Sequence, residues 1–363
     1  MHVLLLGFSV KGAQGQYIGS LASALAKITQ TTLVVPEHFD SNNLTNDRIK
    51  LLKFSTSPFR LLSALKFLQI WRAFSLIRLI KSLKPMVVHL INGEGYPWAI
   101  VLAKKLNKIP LIITLHDPKP HLEDPLDWVT NFIAKYFVLP RARMIHIHSE
   151  RFRPLLLKLG ITNEQISVIP HGSFAHLFLP YRKDNIKKEK MALFFGRLKT
   201  YKGLDVLIEA GLILKKKGET VRIVIAGPGK LSKKFLRTIK NNPDVFELYN
   251  QYLSPSEAAP LFQRASVCVL PYRDATQSSI PSIAAAFEVP IVATSMGAFI
   301  EDVPFYGGLL VSPNNPAALA EAILRAFYCK VKNENARSWD DLAVKFVEMY
   351  QNALKLKEQK YKI

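Results

Sequence analysis

Arg197 and Lys202 stand five residues apart in the stretch 193–203, L-F-F-G-R-L-K-T-Y-K-G. The apolar run before them, 191–195, has the length of a buried strand, and Gly196 ends it. Leu204, Val206, Leu207 and Ile208 then open a helical pattern. A strand, a turn bearing cations and a helix make an anion site. The N–H groups and dipole at a helix N-terminus favour negative charge, a guanidinium offers a two-pronged fork to phosphate, and an ammonium adds a point charge. Cations in surface loops are common, so it is the strand–turn–helix context that gives this pair its chemistry.

Other residues could take part. The loop 9–15, S-V-K-G-A-Q-G, follows a strand at 2–8 and precedes a helix at 16–27. Gly12 and Gly15 would let backbone approach a ligand there. Their spacing is not G-x-G-x-x-G, so the dinucleotide fingerprint is absent. His116 ends an apolar strand, 111–115, at the strand end where parallel sheets bind ligands; alone, it reads better as a satisfied structural histidine. His146 and His148 share one face of a strand at 144–148 with no third ligand at metal spacing, so no metal site is predicted. No Asp-x-Asp occurs in the chain to hold a divalent ion.

The elements that must position these residues alternate between apolar strands and helical patterns along the whole chain, which predicts parallel sheets built from βαβ units. At 363 residues the chain is long for one core. The break falls at a dense charge run, Y-R-K-D-N-I-K-K-E-K. We expect an N-terminal domain over 1–178, a charged linker over 179–190, a C-terminal domain over 191–335, and a helical tail over 336–363. The hydrophobic content of 49% suits a globular protein, and two cysteines leave no room for a disulfide framework. The first residues read as a strand without a basic leader, and no run is long and apolar enough to cross a bilayer. A cytoplasmic setting is the simplest expectation.

The net charge is +21, which calls for an acidic partner. The region 58–84 carries six cations, no acidic residue and broadly helical apolar spacing at Leu61, Leu65, Leu68, Phe74, Ile77 and Ile80. Such a helix can lie on an anionic membrane surface, with Arg72, Arg78 and Lys81 facing the lipid. The same pattern also describes a helix covering a sheet with its cations in water.

With G-R…K-G followed by L-D-V-L-I-E-A, the chain resembles the GT-B glycosyltransferases, and most closely family 4, glycosyl transferases group 1. The resemblance keeps its order over nearly the whole chain. It implies an α/β GT-B fold of two Rossmann-like parallel-sheet domains facing across a deep cleft, the last helix crossing back to the N-terminal domain. It implies that Arg197 and Lys202 hold the diphosphate of a nucleotide sugar and that His116 faces the transferred sugar. His171-Gly172 matches a turn before the linker, and V-I-A-G-P-G ending at Gly229 lines the nucleotide side. The stretch 297–303, with Gly297 and Glu301, matches the loop after the donor site. One departure is clear. The two glutamates usual in the family fall on Ala275 and Ile283 here. The local D-A-T-Q-S-S-I-P is similar to a variant group in which Gln277, Ser278 and Ser279 would supply polar contacts at the start of a helix.

The implied function is a retaining, metal-independent glycosyltransferase that needs no cofactor. It would move sugar from a nucleotide sugar to a glycan or lipid-linked acceptor, in polysaccharide or glycolipid synthesis, and sit in the cytoplasm or peripherally on the membrane's cytoplasmic face. The competing readings are a divergent or non-catalytic GT-B sugar-nucleotide binder and a sugar-nucleotide epimerase. A basic nucleic-acid binder is a third class, but no nucleic-acid module is evident, so nucleic acid is not expected as a partner.

Overall fold

The computed structural model describes residues 1–54, 70–118, 127–333 and 336–356. The chain divides into two compact units, Met1–Gly172 with Ser338–Ile363, and Ser173–Arg337.

In the first unit, seven strands form one sheet: β1 (His2–Leu6), β2 (Gln30–Pro36), β3 (Lys50–Phe54), β4 (Val87–Leu90), β5 (Leu111–Thr114), β6 (Met144–Ile147) and β7 (Ile166–Val168). Their order is β3-β2-β1-β4-β5-β6-β7, and every pair is parallel. Val3, Leu4, Leu5 and Leu6 of β1 are all fully buried. A strand apolar on both faces needs helices on both faces, which is why these runs form a parallel sheet. The helices are α1 (Ala13–Ile28), α2 (Ile70–Leu83), α3 (Pro97–Lys105), α4 (Asp127–Ile133) and α5 (Arg153–Lys158). A single π turn, Ala134–Val138, extends α4.

The α2 helix packs Ala73, Leu76, Ile77 and Ile80 into the core beside Val88, Leu90 and Trp98. Phe74, expected on that apolar face, is instead exposed, as are Arg78 and Lys81. It falls one position off the buried stripe. The Arg72 side chain and residues 58–69 lie outside the described residues. The C-terminal helix, Trp339–Lys355, belongs to this unit. Trp339 presses on Gly172, where a Cβ would come within 2.4 Å of the indole. Lys27 of α1 pairs with Asp340 at 2.7 Å.

The second unit repeats the plan with β8 (Met191–Phe195), β9 (Arg222–Ala226), β10 (Phe246–Tyr249), β11 (Val267–Leu270), β12 (Ile291–Thr294) and β13 (Leu309–Val311). Their order is β10-β9-β8-β11-β12-β13, again all parallel. Its helices are α6 (Ala175–Phe178), α7 (Leu204–Lys216), α8 (Lys233–Asn241), α9 (Pro255–Arg264), α10 (Ile280–Ala286), α11 (Phe299–Phe305) and α12 (Pro316–Ala326). The α9 helix starts on a capping box: Ser254 Oγ accepts from Glu257 N–H while Ser254 N–H donates to the Glu257 carboxylate.

The charged run expected as a linker is instead a strap bound to the second unit. Lys183 and Gln263 exchange two hydrogen bonds, of 2.9 and 2.7 Å. Glu189 pairs with Arg264 at 2.7 Å, and Lys188 Nζ donates to Glu288 O at 2.7 Å. Lys190 in turn pairs with Glu219 at 2.8 Å.

Strand order reverses between β1 and β4 in the first unit and between β8 and β11 in the second. Open α/β sheets bind ligands beyond the C-terminal ends of the strands that flank such a reversal.

Candidate functional site

In the second unit, the turns after β8 and β11 meet at the reversal. Gly196 leaves β8 and Arg197 follows it into solvent. A short 3-10 turn, Thr200–Lys202, then leads through Gly203 into α7. Tyr272 leaves β11 and is fully buried. The Lys202 ammonium lies 3.6 Å from the centroid of the Tyr272 ring and 5.0 Å from that of Tyr201. A ring face attracts a cation and holds it in one place. The Arg197 charge and Ser278 both act on the Tyr272 hydroxyl, although burial raises its pKa far above the usual tyrosine value. The structure therefore holds Lys202 over one aromatic side chain, with Arg197 exposed on the same turn.

Three devices hold this turn. Arg273 pairs with Asp205 at the start of α7, its guanidinium donates to Thr200 O at 3.2 Å and to Asn314 Oδ1 at 2.6 Å, and its backbone N–H donates to Tyr201 O at 2.7 Å. Burial pushes the Asp205 carboxyl up, but the hydrogen bond and charge of Arg273 outweigh it and keep the group ionised. Gly229 bridges to Leu198, and Leu198 N–H donates to Pro228 O at 2.8 Å, so the loop after β9 is pinned to the cation turn. Gly203 has φ +67°, and a Cβ there would fall 1.9 Å from Pro271 O. Only glycine fits that conformation at that distance. Gly203→Ala is expected to cost at least about 2 kcal/mol, since it adds both left-handed strain and a backbone clash. Urea unfolding would show this as a lower midpoint at unchanged slope, and an unchanged midpoint would contradict it.

The other expected residues of this unit divide. Ser278 Oγ accepts from Ile280 N–H at 3.3 Å, and Ser279 occupies the N-cap of α10 without a side-chain cap bond. Gln277 is half-buried in the same loop. Gly297 sits directly on Ala275: a Cβ would overlap Ala275 O at 1.3 Å. Glu301 lies in the first turn of α11. Ala275 and Ile283, which stand where the family's glutamates would be, are both buried. A pocket lined by Lys199, Asp205, Lys230, Phe235 and Arg273 opens beside the turn.

In the first unit, Asn92 ties the two loops at the reversal together. Its Oδ1 accepts from Phe8 N–H and Ser9 N–H at 2.7 and 2.9 Å, and its amide donates to Ser9 O at 2.8 Å. Gly12 caps α1, and Gly15 lies against Val10 O. The carboxyl of Glu94, in the loop after β4, is pushed up to about 7 by burial; the Asp117 charge adds to this, and nearby backbone N–H groups oppose it.

His116 is 8% exposed at the end of β5. Its Nδ1 contacts His148 Nε2 at 3.0 Å, and Tyr17 meets its ring edge-on at 4.8 Å. Burial lowers its pKa, while the Asp117 charge and the Ile91 carbonyl pull the other way. Behind it runs a buried chain of polar groups. His146 Nε2 meets Ile169 O at 2.8 Å, a carbonyl that can only accept, so this nitrogen carries the proton. His146 Nδ1 must then accept from the Thr114 hydroxyl (2.9 Å), Thr114 from His89 Nε2 (2.7 Å), and His89 Nδ1 from the Tyr350 hydroxyl (2.8 Å). Burial keeps His89, His146 and His148 well below the usual histidine pKa, that of His146 at about 3. Among the described residues, no cluster of three His, Cys, Asp or Glu could hold a metal.

Sequence reasoning missed Tyr272, Arg273 and the Tyr350–His89–Thr114–His146 chain. An aromatic next to an arginine at a strand's C-terminal end was the available signal for the first two.

Two parallel α/β units, each with its loops gathered at a strand-order reversal, define the GT-B class of fold. Residues 14–173 match the Glycosyltransferase Family 4 and residues 189–328 match Glycosyl transferases group 1. The chain belongs to this family of glycosyltransferases. An uncharacterised glycosyltransferase of Methanocaldococcus jannaschii is 33% identical over 147 residues, covering 40% of this chain and 39% of its own. The chain spans less than half the length of the curated relatives it matches. Sucrose-phosphate synthase of Thermosynechococcus elongatus shares the fold at TM-score 0.70 and 18% identity, over 98% of this chain and 99% of that one. The Anabaena protein HepE, solved in complex with UDP, does so at TM-score 0.68 and 17% identity, over the same shares.

Proposed function

We propose that the protein transfers a sugar from a nucleoside-diphosphate sugar to a glycan or lipid-linked acceptor, with retention of configuration and without a metal. The observation that carries this reading is the Lys202 ammonium held over Tyr272 beside Arg197 at the β8/β11 reversal. Glycosyl transfer leaves growing negative charge on the departing diphosphate, and fixed cations there lower the barrier more than any other single device. Arg197 and Lys202 take that role, which a metal fills elsewhere, and the absence of Asp-x-Asp from the sequence agrees with it. The UDP bound by HepE supports a nucleotide donor. His116 is assigned to the transferred sugar, its ring oriented through Nδ1 by His148. The +21 charge and the exposed Arg78 and Lys81 of α2, with Arg72, support an acceptor met at an anionic membrane surface on the cytoplasmic side.

The rival reading is a sugar-nucleotide binder without turnover, favoured by the buried, uncharged Ala275 and Ile283. A thermal-shift panel of nucleotide sugars and nucleoside diphosphates tests the donor site. One of them should raise the melting temperature, and Lys202→Ala should reduce the rise. Stabilisation by nucleic acid alone would refute the proposal. Loss of the sugar from the donor, followed by NMR of the anomeric proton, separates transfer from mere binding.

A further inference from the structure

The segment 128–138 is inside out. Among its described side chains, the exposed ones are all aromatic: Trp128 (67%), Phe132 (50%), Tyr136 (57%) and Phe137 (38%). Thr130, Asn131 and Lys135, the polar residues, are only half exposed. Trp128, Phe132 and Tyr136 recur at every fourth position, and Phe132 meets Tyr136 and Phe137 at centroid separations of 4.9 and 5.9 Å. The π turn explains the alignment. Its wider i→i+5 winding rotates each residue less than an α turn does. That keeps Tyr136 in line with Phe132 and Trp128 while Ala134 and Val138 stay buried. Scattered exposed aromatics need no explanation, but four in one continuous stripe do.

The charge along the stripe is mainly positive, although Asp127 precedes Trp128 at the start of α4 and the Glu94–Gly95 loop lies against Thr130. No acidic residue occurs from Val129 to Ser149, while Lys135 and Arg141 lie within or just past the stripe. The α3 helix, which packs on the π turn, adds exposed Lys104 and Lys105, and α2, which packs on α3, carries exposed Arg78 and Lys81. Rings with an apolar body, flanked by cations, suit the headgroup level of an anionic bilayer.

We propose that the aromatic stripe Trp128–Phe132–Tyr136–Phe137 is the surface through which the protein inserts into an anionic lipid bilayer interface. This rests on the membrane part of the proposed function and adds the anchoring residues. It is independent of the donor site. The rings supply depth, the cations of α2 and α3 supply attraction, and neither alone gives stable attachment.

The test is co-sedimentation with vesicles of equimolar phosphatidylcholine and phosphatidylglycerol, and of phosphatidylcholine alone, at low salt. The protein should partition to the anionic vesicles with a blue shift in tryptophan emission. Phe132→Ser/Tyr136→Ser should lower partitioning at least about tenfold. Trp128→Phe should keep binding and lose the blue shift, which marks the stripe in an otherwise unaltered chain. Thermal stabilisation by a nucleotide donor, measured on the same preparations, should be unchanged, so failure here and failure of the transferase reading are told apart. The proposal is overturned by absent vesicle binding, by a blue shift that survives Trp128→Phe, or by full partitioning of the double variant. Self-association through the stripe, seen in sedimentation velocity as a dimer that the double variant abolishes, with no vesicle binding, would also overturn it.

Discussion

Lys202→Ala is expected to lower kcat/KM for glycosyl transfer about 10²- to 10³-fold, the usual cost of removing one fixed donor from a charge-developing centre. The ammonium is 3.6 Å from the Tyr272 centroid, on a turn that Arg273 and Asp205 hold from beneath. Its position is thus set before any ligand arrives, so little is lost in organising it at the moment of reaction. Because negative charge on the diphosphate grows toward the transition state, most of the loss should fall on kcat, with a smaller change in KM. Lys202 is only partly buried, so the melting temperature should move by a few degrees at most. Arg197→Ala should act in the same direction. The double variant should lose less than the product of the two, since both cations serve one leaving group. Steady-state kinetics with the donor found in the thermal-shift panel measure all three. Wild-type kcat in Lys202→Ala would remove this residue from the mechanism.

The strands were legible because each is a short apolar run closed by glycine, proline or a charge, and burial on both faces leaves such a run no other place. Pairs such as Leu4 and Val88, or Leu193 and Val224, stand in register with one another for that reason. The cation turn was legible because its function depends on local spacing. What escaped was set by distance along the chain. Tyr350 bonds His89, 261 residues away, and nothing in either neighbourhood marks the pairing. Arg273 resembled any surface arginine until the β11 turn brought it to Asp205. The π turn over Ala134–Val138 follows from no residue pattern, so Tyr136 and Phe137 would have been placed on different faces of a regular helix. The strap over 179–190 misled because its composition is that of a free linker, while its partners, Gln263, Arg264 and the carbonyl of Glu288, lie far downstream.

The buried histidine chain gives the second large effect: the fold should be acid-labile well above the range where carboxylates titrate. In the unfolded chain each histidine takes a proton near its ordinary pKa of about 6.5. In the native state burial, and the mutual repulsion of neighbouring imidazoles, hold His89 and His148 well below that and His146 at about 3. Between these values the unfolded state binds more protons than the native state, so stability falls as pH falls, by about 1.4 kcal/mol per pH unit for each histidine. From pH 6 to 4.5 His146 would withdraw about 2 kcal/mol, and His89 and His148 act in the same direction. Above about pH 7 the three are neutral in both states and the effect vanishes. The chain cannot relieve this by releasing one member: Ile169 O fixes the tautomer of His146, Thr114 passes the polarity on to His89, and His89 needs the Tyr350 hydroxyl as its donor. Because Tyr350 sits on the C-terminal helix, protonation at His89 also loosens that helix from its sheet. Urea midpoints measured from pH 7.5 to 4.5 should fall steeply in the wild type. His146→Asn should start lower, having lost buried hydrogen bonds, yet show a slope shallower by about one proton. Parallel pH curves for the two proteins would mean that the histidines titrate alike folded and unfolded, and would refute the linkage.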